Sequence, residues 1–262
     1  MLAPLRDYLR PKDPMSSILL GTTKDCYFSR LSVDVDPDKP GFKGSQWITS
    51  EDVNVEHLLD VFTLIDANLE DVWDACARFM DHLYWHKPRL VTLGPKIEAL
   101  PDGHPSKAQC LQYLSWLFHS VGIDVECKRL LTHALKLWRD KGDDHRAAQM
   151  LIYLSEANRL MDLYEEGIRQ AQEASEIFER LGDTTKRAES LISLAYVLHG
   201  DKQLDAADEA VSRAIDLLPE EGEQFLVCDG HRILGNISRS KGNTGKAIHH
   251  FEVALGIASS LN

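Results

Sequence analysis

The chain has 262 residues, 44% of them hydrophobic, and a formal net charge of −12. That is enough apolar material for a substantial core, and it excludes a general nucleic-acid or anionic-membrane binder, which needs a basic stripe. Five cysteines (Cys26, Cys76, Cys110, Cys127, Cys228) stand singly with no C-x-x-C pair, a usage that fits reduced thiols in the cytosol.

No apolar run reaches the roughly 18 residues of a membrane helix, and the N-terminus lacks a secretory signal pattern. The expected location is cytoplasmic, so the sequon Asn236-Ile237-Ser238 is read as accidental. Residues 1–50 form an N-terminal segment with one helix within Ser16 to Val33 and a loop rich in Asp, Pro and Gly from Asp34 to Gly44. Residues 51–106 read as a helical pair, Val53 to Asp66 and Leu69 to Trp85, both with helical periodicity. A weaker helix then starts at Pro88 and runs to Leu100, where Pro101-Asp102-Gly103-His104-Pro105 ends it. The ending Glu98-Ala99-Leu100-Pro101 echoes Asp216-Leu217-Leu218-Pro219, so this region is a degenerate repeat or cap.

From residue 107 a 40-residue register holds without insertion or deletion. Leu114, Leu154, Leu194 and Leu234 keep it, as do Ala134, Ala174, Ala214 and Ala254. Small residues recur beside each leucine (Ser115, Ser155, Ala195, Gly235) and thirteen positions after it (Cys127, Gly167, Ala207, Ala247). A fixed period of this length means stacked supersecondary units. Within each unit two apolar stripes follow one another, Ala147, Leu151, Leu154, Ala157 and Met161, then Ile168, Ala171, Ala174, Ser175 and Phe178 in the second copy. Gly142, Gly182 and Gly222 fall at the breaks, and Asp143 and Asp183 follow two of them, the order of a left-handed helix end and an N-cap. The repeats are therefore 107–143, 144–183, 184–222 and 223–262, each an antiparallel helix pair, and the fold class is all-α, a right-handed α-solenoid.

These slots resemble the tetratricopeptide repeat: leucine and a small residue, a small residue 13 after the leucine, a large apolar one 17 after (Leu131, Ala171, Val211, Phe251) and alanine 20 after. Ala171 departs from that pattern in size, and the early tryptophan and the tyrosine of the first helix are missing, with Phe118 at the tyrosine slot of the first copy. The period is longer than the family's usual one, and a HEAT array would share the architecture. The words Leu2-Ala3-Pro4-Leu5-Arg6-Asp7-Tyr8-Leu9-Arg10-Pro11-Lys12-Asp13-Pro14 and Ser50-Glu51-Asp52-Val53-Asn54-Val55-Glu56-His57-Leu58-Leu59 resemble a segment of fungal proteins in which a NACHT or NB-ARC ATPase precedes such an array, as in NOD-like receptors. That resemblance implies a sensor fragment lying after an ATPase, whose phosphate-binding motif this chain lacks.

No chemical motif survives inspection. Gly242-Asn243-Thr244-Gly245-Lys246 has no Ser or Thr after its lysine; Asp34-Val35-Asp36-Pro37-Asp38 has Lys39 and Ser45 where a calcium loop needs glycine and glutamate. His82 and His86 are one turn apart without a third ligand, and His249 and His250 diverge. No catalytic spacing, cofactor or metal site is found, and no enzyme is expected. The resemblance implies that the slots two and five after each leucine face a concave groove. They hold Trp116, Glu156, Tyr196 and Asn236, then His119, Arg159, His199 and Arg239, flanked by Gln112, Tyr113, Tyr153 and Arg232. Arginine with aromatic side chains suits a protein or peptide partner carrying acidic or C-terminal carboxylate groups. The expected function is a non-catalytic interaction scaffold; the alternative is a structural or autoinhibitory solenoid that packs on its own ATPase domain or self-associates without a foreign ligand. Leu255, Ile257, Ala258 and Leu261 finish the last helix without a polar cap, an expectation of truncation, further repeats or self-association through that helix.

Overall fold

The structure is a computed structural model and describes residues 52–53, 55–57, 59–60, 63, 70–218 and 223–260. The expected N-terminal helix and loop, the segment 1–50, Pro219, Gly222 and Leu261 lie outside the described residues. The described residues are helical throughout apart from short turns and links, with no strand among them. They fall into two compact units, Met1–Ile123 and Asp124–Asn262.

In the first unit, α1 (Glu70–His86) buries Val72, Trp73, Cys76, Phe79, Met80 and Leu83 at helical spacing. It packs on α3 (Lys107–Ser120). Between them α2 covers only Gly94–Ala99, shorter than the helix expected from Pro88. The proline that opens it is Pro95, in its first turn. Residues 87–93 are spent otherwise, as a strap tied to the helical residues 52 and 56. Lys87 and Arg89 donate to Asp52 at 3.1 and 3.0 Å, Arg89 reaches Glu56 at 2.5 Å, and the Thr92 amide also donates to Glu56. Lys96 closes on Asp60. The three acids are four apart, so they share one helix face, and that face reads the strap in order.

The second unit is α4 (Asp124–Asp140), α5 (Asp144–Leu160), α6 (Tyr164–Leu181), α7 (Thr184–Gly200), α8 (Leu204–Leu217), α9 (Gln224–Ser240) and α10 (Thr244–Ser260). Its helices end alike. The amides of Asp143, Leu163, Asp183, Gln203 and Asn243 each donate to the carbonyl five residues back, at 2.8–3.0 Å, the longer bond of a Schellman closure. The residue before each is left-handed: Gly142, Asp162, Gly182, Lys202 and Gly242, with φ from 57° to 79°. These turns recur every 20 residues, so the 40-residue repeat consists of two halves of equal length. Asp143 and Asp183 cap α5 and α7 by accepting the amides of Arg146 and Lys186 at 2.9 Å. The link from α8 to α9 breaks the rule: Leu218 is extended there, with φ −80° and ψ 141°.

The small residues sit where helices touch. Ala174 and Ala214 are fully buried, and a Cβ added to Gly167 would lie 3.0 Å from Val197 and 3.1 Å from the Ser155 carbonyl. Cross-links between first helices fix their direction. His145 meets Asp183, Gln149 meets Glu189, and Ser155 meets Ser193; the numbers rise together, so α5 and α7 run parallel. Tyr196 to Asp229 and His199 to Ser240 do the same for α7 and α9.

Candidate functional site: a groove on the first helices

Parallel α5, α7 and α9 enclose a groove of about 600 Å³ in the second unit. Eight residues expected from the register line it: Tyr153, Glu156, Arg159, Tyr196, His199, Arg232, Asn236 and Arg239. The other four, Gln112, Tyr113, Trp116 and His119, lie on α3 in the first unit. There Trp116 stacks among aromatic rings, with Tyr113 at 4.9 Å and Tyr84 at 5.4 Å between centroids.

Helix geometry explains where the charges stand. Arg159, His199 and Arg239 each occupy the last turn of a first helix, where the carbonyl end of the helix dipole favours positive charge. Because the helices are parallel, the three ends gather at one end of the groove. The opposite end, toward the helix starts, holds Glu189, Phe225 and Leu226, with Ile192 and Ile233 along the wall. Phe225 is 73% exposed, a large apolar ring open at that end of the groove.

Two of the groove arginines, Arg159 and Arg232, are held by carboxylates. Arg159 donates twice to Glu156, at 2.8 and 2.5 Å. Arg232 grips one Asp229 oxygen at 3.0 and 2.6 Å, and the Tyr196 hydroxyl donates to that same oxygen at 2.8 Å. The Arg232 guanidinium also lies 5.2 Å over the Tyr196 ring. Burial, then the Asp229 charge, pushes the Tyr196 phenol upward, so it stays a donor. Arg239 bonds the neutral Asn236 carbonyl at 3.0 Å and has no carboxylate partner among the described residues. His199 meets the Ser240 hydroxyl at 2.9 Å; burial, then the charges of Lys202, Arg239 and Arg159, lowers its pKa. The groove is thus charge-balanced yet polarised, with Arg159, Arg232 and Arg239 set against Glu156, Glu189 and Asp229.

Asp229, Phe225 and Leu226 are not among the expected residues and carry much of this. Asp229, like the expected Glu156, stands three before an arginine, a spacing that signals an ion pair on one helix face. Phe225 and Leu226 lie eight or nine residues before the motif leucine, outside the slots that the register marks. Elsewhere, His82 and His86 stack at 4.6 Å, and burial, then His86, lowers His82 to about 4. Among the described residues no group of three His, Cys, Asp or Glu is placed for a metal, and no helix is long and apolar enough to cross a membrane.

No protein-family profile matches the chain, and no curated protein matches it in sequence. Solved structures do. BtubC (BKLC) from P. vanneervenii superposes with a TM-score of 0.55 at 16% identity, over 91% of this chain and 92% of that one. A Podosopora anserina protein with nearly identical TPR-like repeats gives, in one of its crystal structures, 0.52 at 13% identity, over 81% and 97%. At such identities the likeness carries fold alone. The fold is a right-handed tetratricopeptide-like α-solenoid of antiparallel helix pairs. In this solenoid the departures seen in the sequence have visible consequences. At the Gly235 slot, for example, glycine replaces the alanine or serine of the other copies because Phe251 lies where a Cβ would be, at 2.5 Å.

Proposed function

We propose that the groove on α5, α7 and α9 receives a segment of a protein partner, making the chain a non-catalytic interaction scaffold. One observation carries this reading. The groove is polarised, with Arg239 lacking a carboxylate partner among the described residues at one end and Phe225 largely uncovered at the other. An extended segment with apolar side chains toward Phe225 and Leu226, and an acidic or C-terminal carboxylate group toward Arg159, His199 and Arg239, complements both ends. Of the three groove arginines, Arg239 offers its charge without first breaking a pair with Glu156 or Asp229. In this reading the chain is the sensor or regulatory array of a NOD-like receptor type protein, to which its N-terminal words are similar.

A second reading rests on the ion pairs themselves. Glu156–Arg159 and Asp229–Arg232 satisfy most of the groove internally, as a structural or autoinhibitory solenoid without a foreign ligand requires. The test begins by retaining proteins from an extract on the immobilised chain. The C-terminal segment of any partner identified is then made as free acid and as amide. The first reading expects the acid to bind tighter, and Arg159→Ala with Arg239→Ala to weaken it about tenfold or more. Equal affinity of both peptides for both proteins removes it.

A further inference from the structure

His231 of α9 and His250 of α10 meet across the last helix pair with their Nδ1 atoms 3.2 Å apart. Their ring centroids are 5.4 Å apart and the planes are inclined by 32°. Two imidazole nitrogens held tetrahedrally by one zinc ion, each at about 2.05 Å, stand about 3.3 Å from one another. The Nδ1–Nδ1 separation matches that distance, and a rotation of the two rings would aim both lone pairs at one ion. Both side chains are partly exposed, so an ion has a way in and water can complete its coordination. No third His, Cys, Asp or Glu closes on the pair among the described residues, which makes this a two-residue site.

Burial, followed by the neighbouring imidazoles, lowers the pKa of both histidines. Lys246 on α10 acts the same way on His250, while Asp208 on α8 opposes it. Asp208 is itself bonded to Lys241 at 2.9 Å. The exposed His249 lies beside His250, at 5.5 Å between centroids. Neither His231 nor His250 lines the groove, so the site is separate from the partner surface.

We propose that His231 and His250 chelate a borderline divalent transition-metal ion of the zinc class, and that the ion ties α10 to α9. Without the ion the same contact is an N–H···N hydrogen bond between neutral rings, one donating and one accepting. Binding would require the donor ring to carry its proton on Nε2 instead of Nδ1, a tautomer change through water with no net proton released, so that both neutral rings offer an Nδ1 lone pair to the ion.

Zinc chloride titrated into the full chain at pH 7.5, followed by calorimetry and thermal unfolding, tests this. The parent chain is expected to bind zinc and unfold at a higher temperature when it does. His231→Gln and His250→Gln should each weaken that binding about tenfold or more and lose the thermal shift, while His249→Gln keeps both. Unfolding without zinc establishes that each variant is folded. The proposal is overturned if the parent binds no zinc, if His250→Gln responds as the parent does, or if His249→Gln loses as much as the other two.

Discussion

Asp81 on α1 is 8% exposed, and burial lifts its pKa to about 6, with only the Trp85 side chain bonded to it in opposition. The folded value lies above the unfolded 3.8, so the folded chain holds this proton more tightly between those limits. The stabilisation is fully present below about pH 3.8 and is lost as pH rises through about 6. At pH 7 a buried charge remains, and Asp81→Asn removes it. The variant should be more stable than the parent at pH 7 by about 1–3 kcal/mol, and the advantage should shrink toward pH 4; urea unfolding at the two pH values measures it. The position could be recognised as core in the sequence, since it falls in a helix with Phe79, Met80 and Leu83. Its neighbours could not, because they come from packing rather than from spacing.

At the scale of the element, the turns decide. The left-handed residue at the break between pairs is glycine at 142 and 182, whereas within pairs it is glycine at 122 and 242 but Asp162 and Lys202 in the two copies between. Aspartate tolerates that conformation, whereas lysine has no local hydrogen bond to compensate for it. Lys202→Gly should therefore stabilise the chain by about 0.5–1 kcal/mol, and thermal unfolding should register a higher midpoint. The opposite sign is expected at a packed glycine. Gly235→Ala drives a Cβ to 2.5 Å from Phe251, and overpacking of that kind costs about 1–3 kcal/mol; denaturant unfolding should show the loss.

Helix number and spacing in the repeats could be read because the register never slips. The equal 20-residue halves were marked only in part, because Gly122 and Gly242 stand at the within-pair turn of two copies while 162 and 202 carry no glycine. Pro88 misled in the same way. It offered a helix start by type, while the basic residues beside it were committed to the strap and Pro95 opened the helix.

For the whole molecule, the repeat register placed eight expected residues in one groove, while the ion pairs that hold two of the arginines follow from a different signal, an acid three residues upstream, which the 40-residue register does not carry. Stability along the array follows burial, because each helix of a solenoid is held by its neighbours. In α5 nine residues are buried, including Met150, Leu151, Ile152 and Leu154. In α10 only Ala247 and Ala254 are, while Ile248 and Leu255 are 52% and 67% exposed. A helix with so little buried area opens at a free energy well below that of the global transition. Amide hydrogen exchange should therefore run fastest in α10 among the helices of the second unit and slowest in α5 and α7. If the exposed face of α10 is instead covered by a second copy of the chain, protection of α10 must rise with protein concentration, and light scattering must report a dimer over the same range. Concentration-independent fast exchange with a monomeric scattering mass would leave α10 as a frayed end and remove self-association through it.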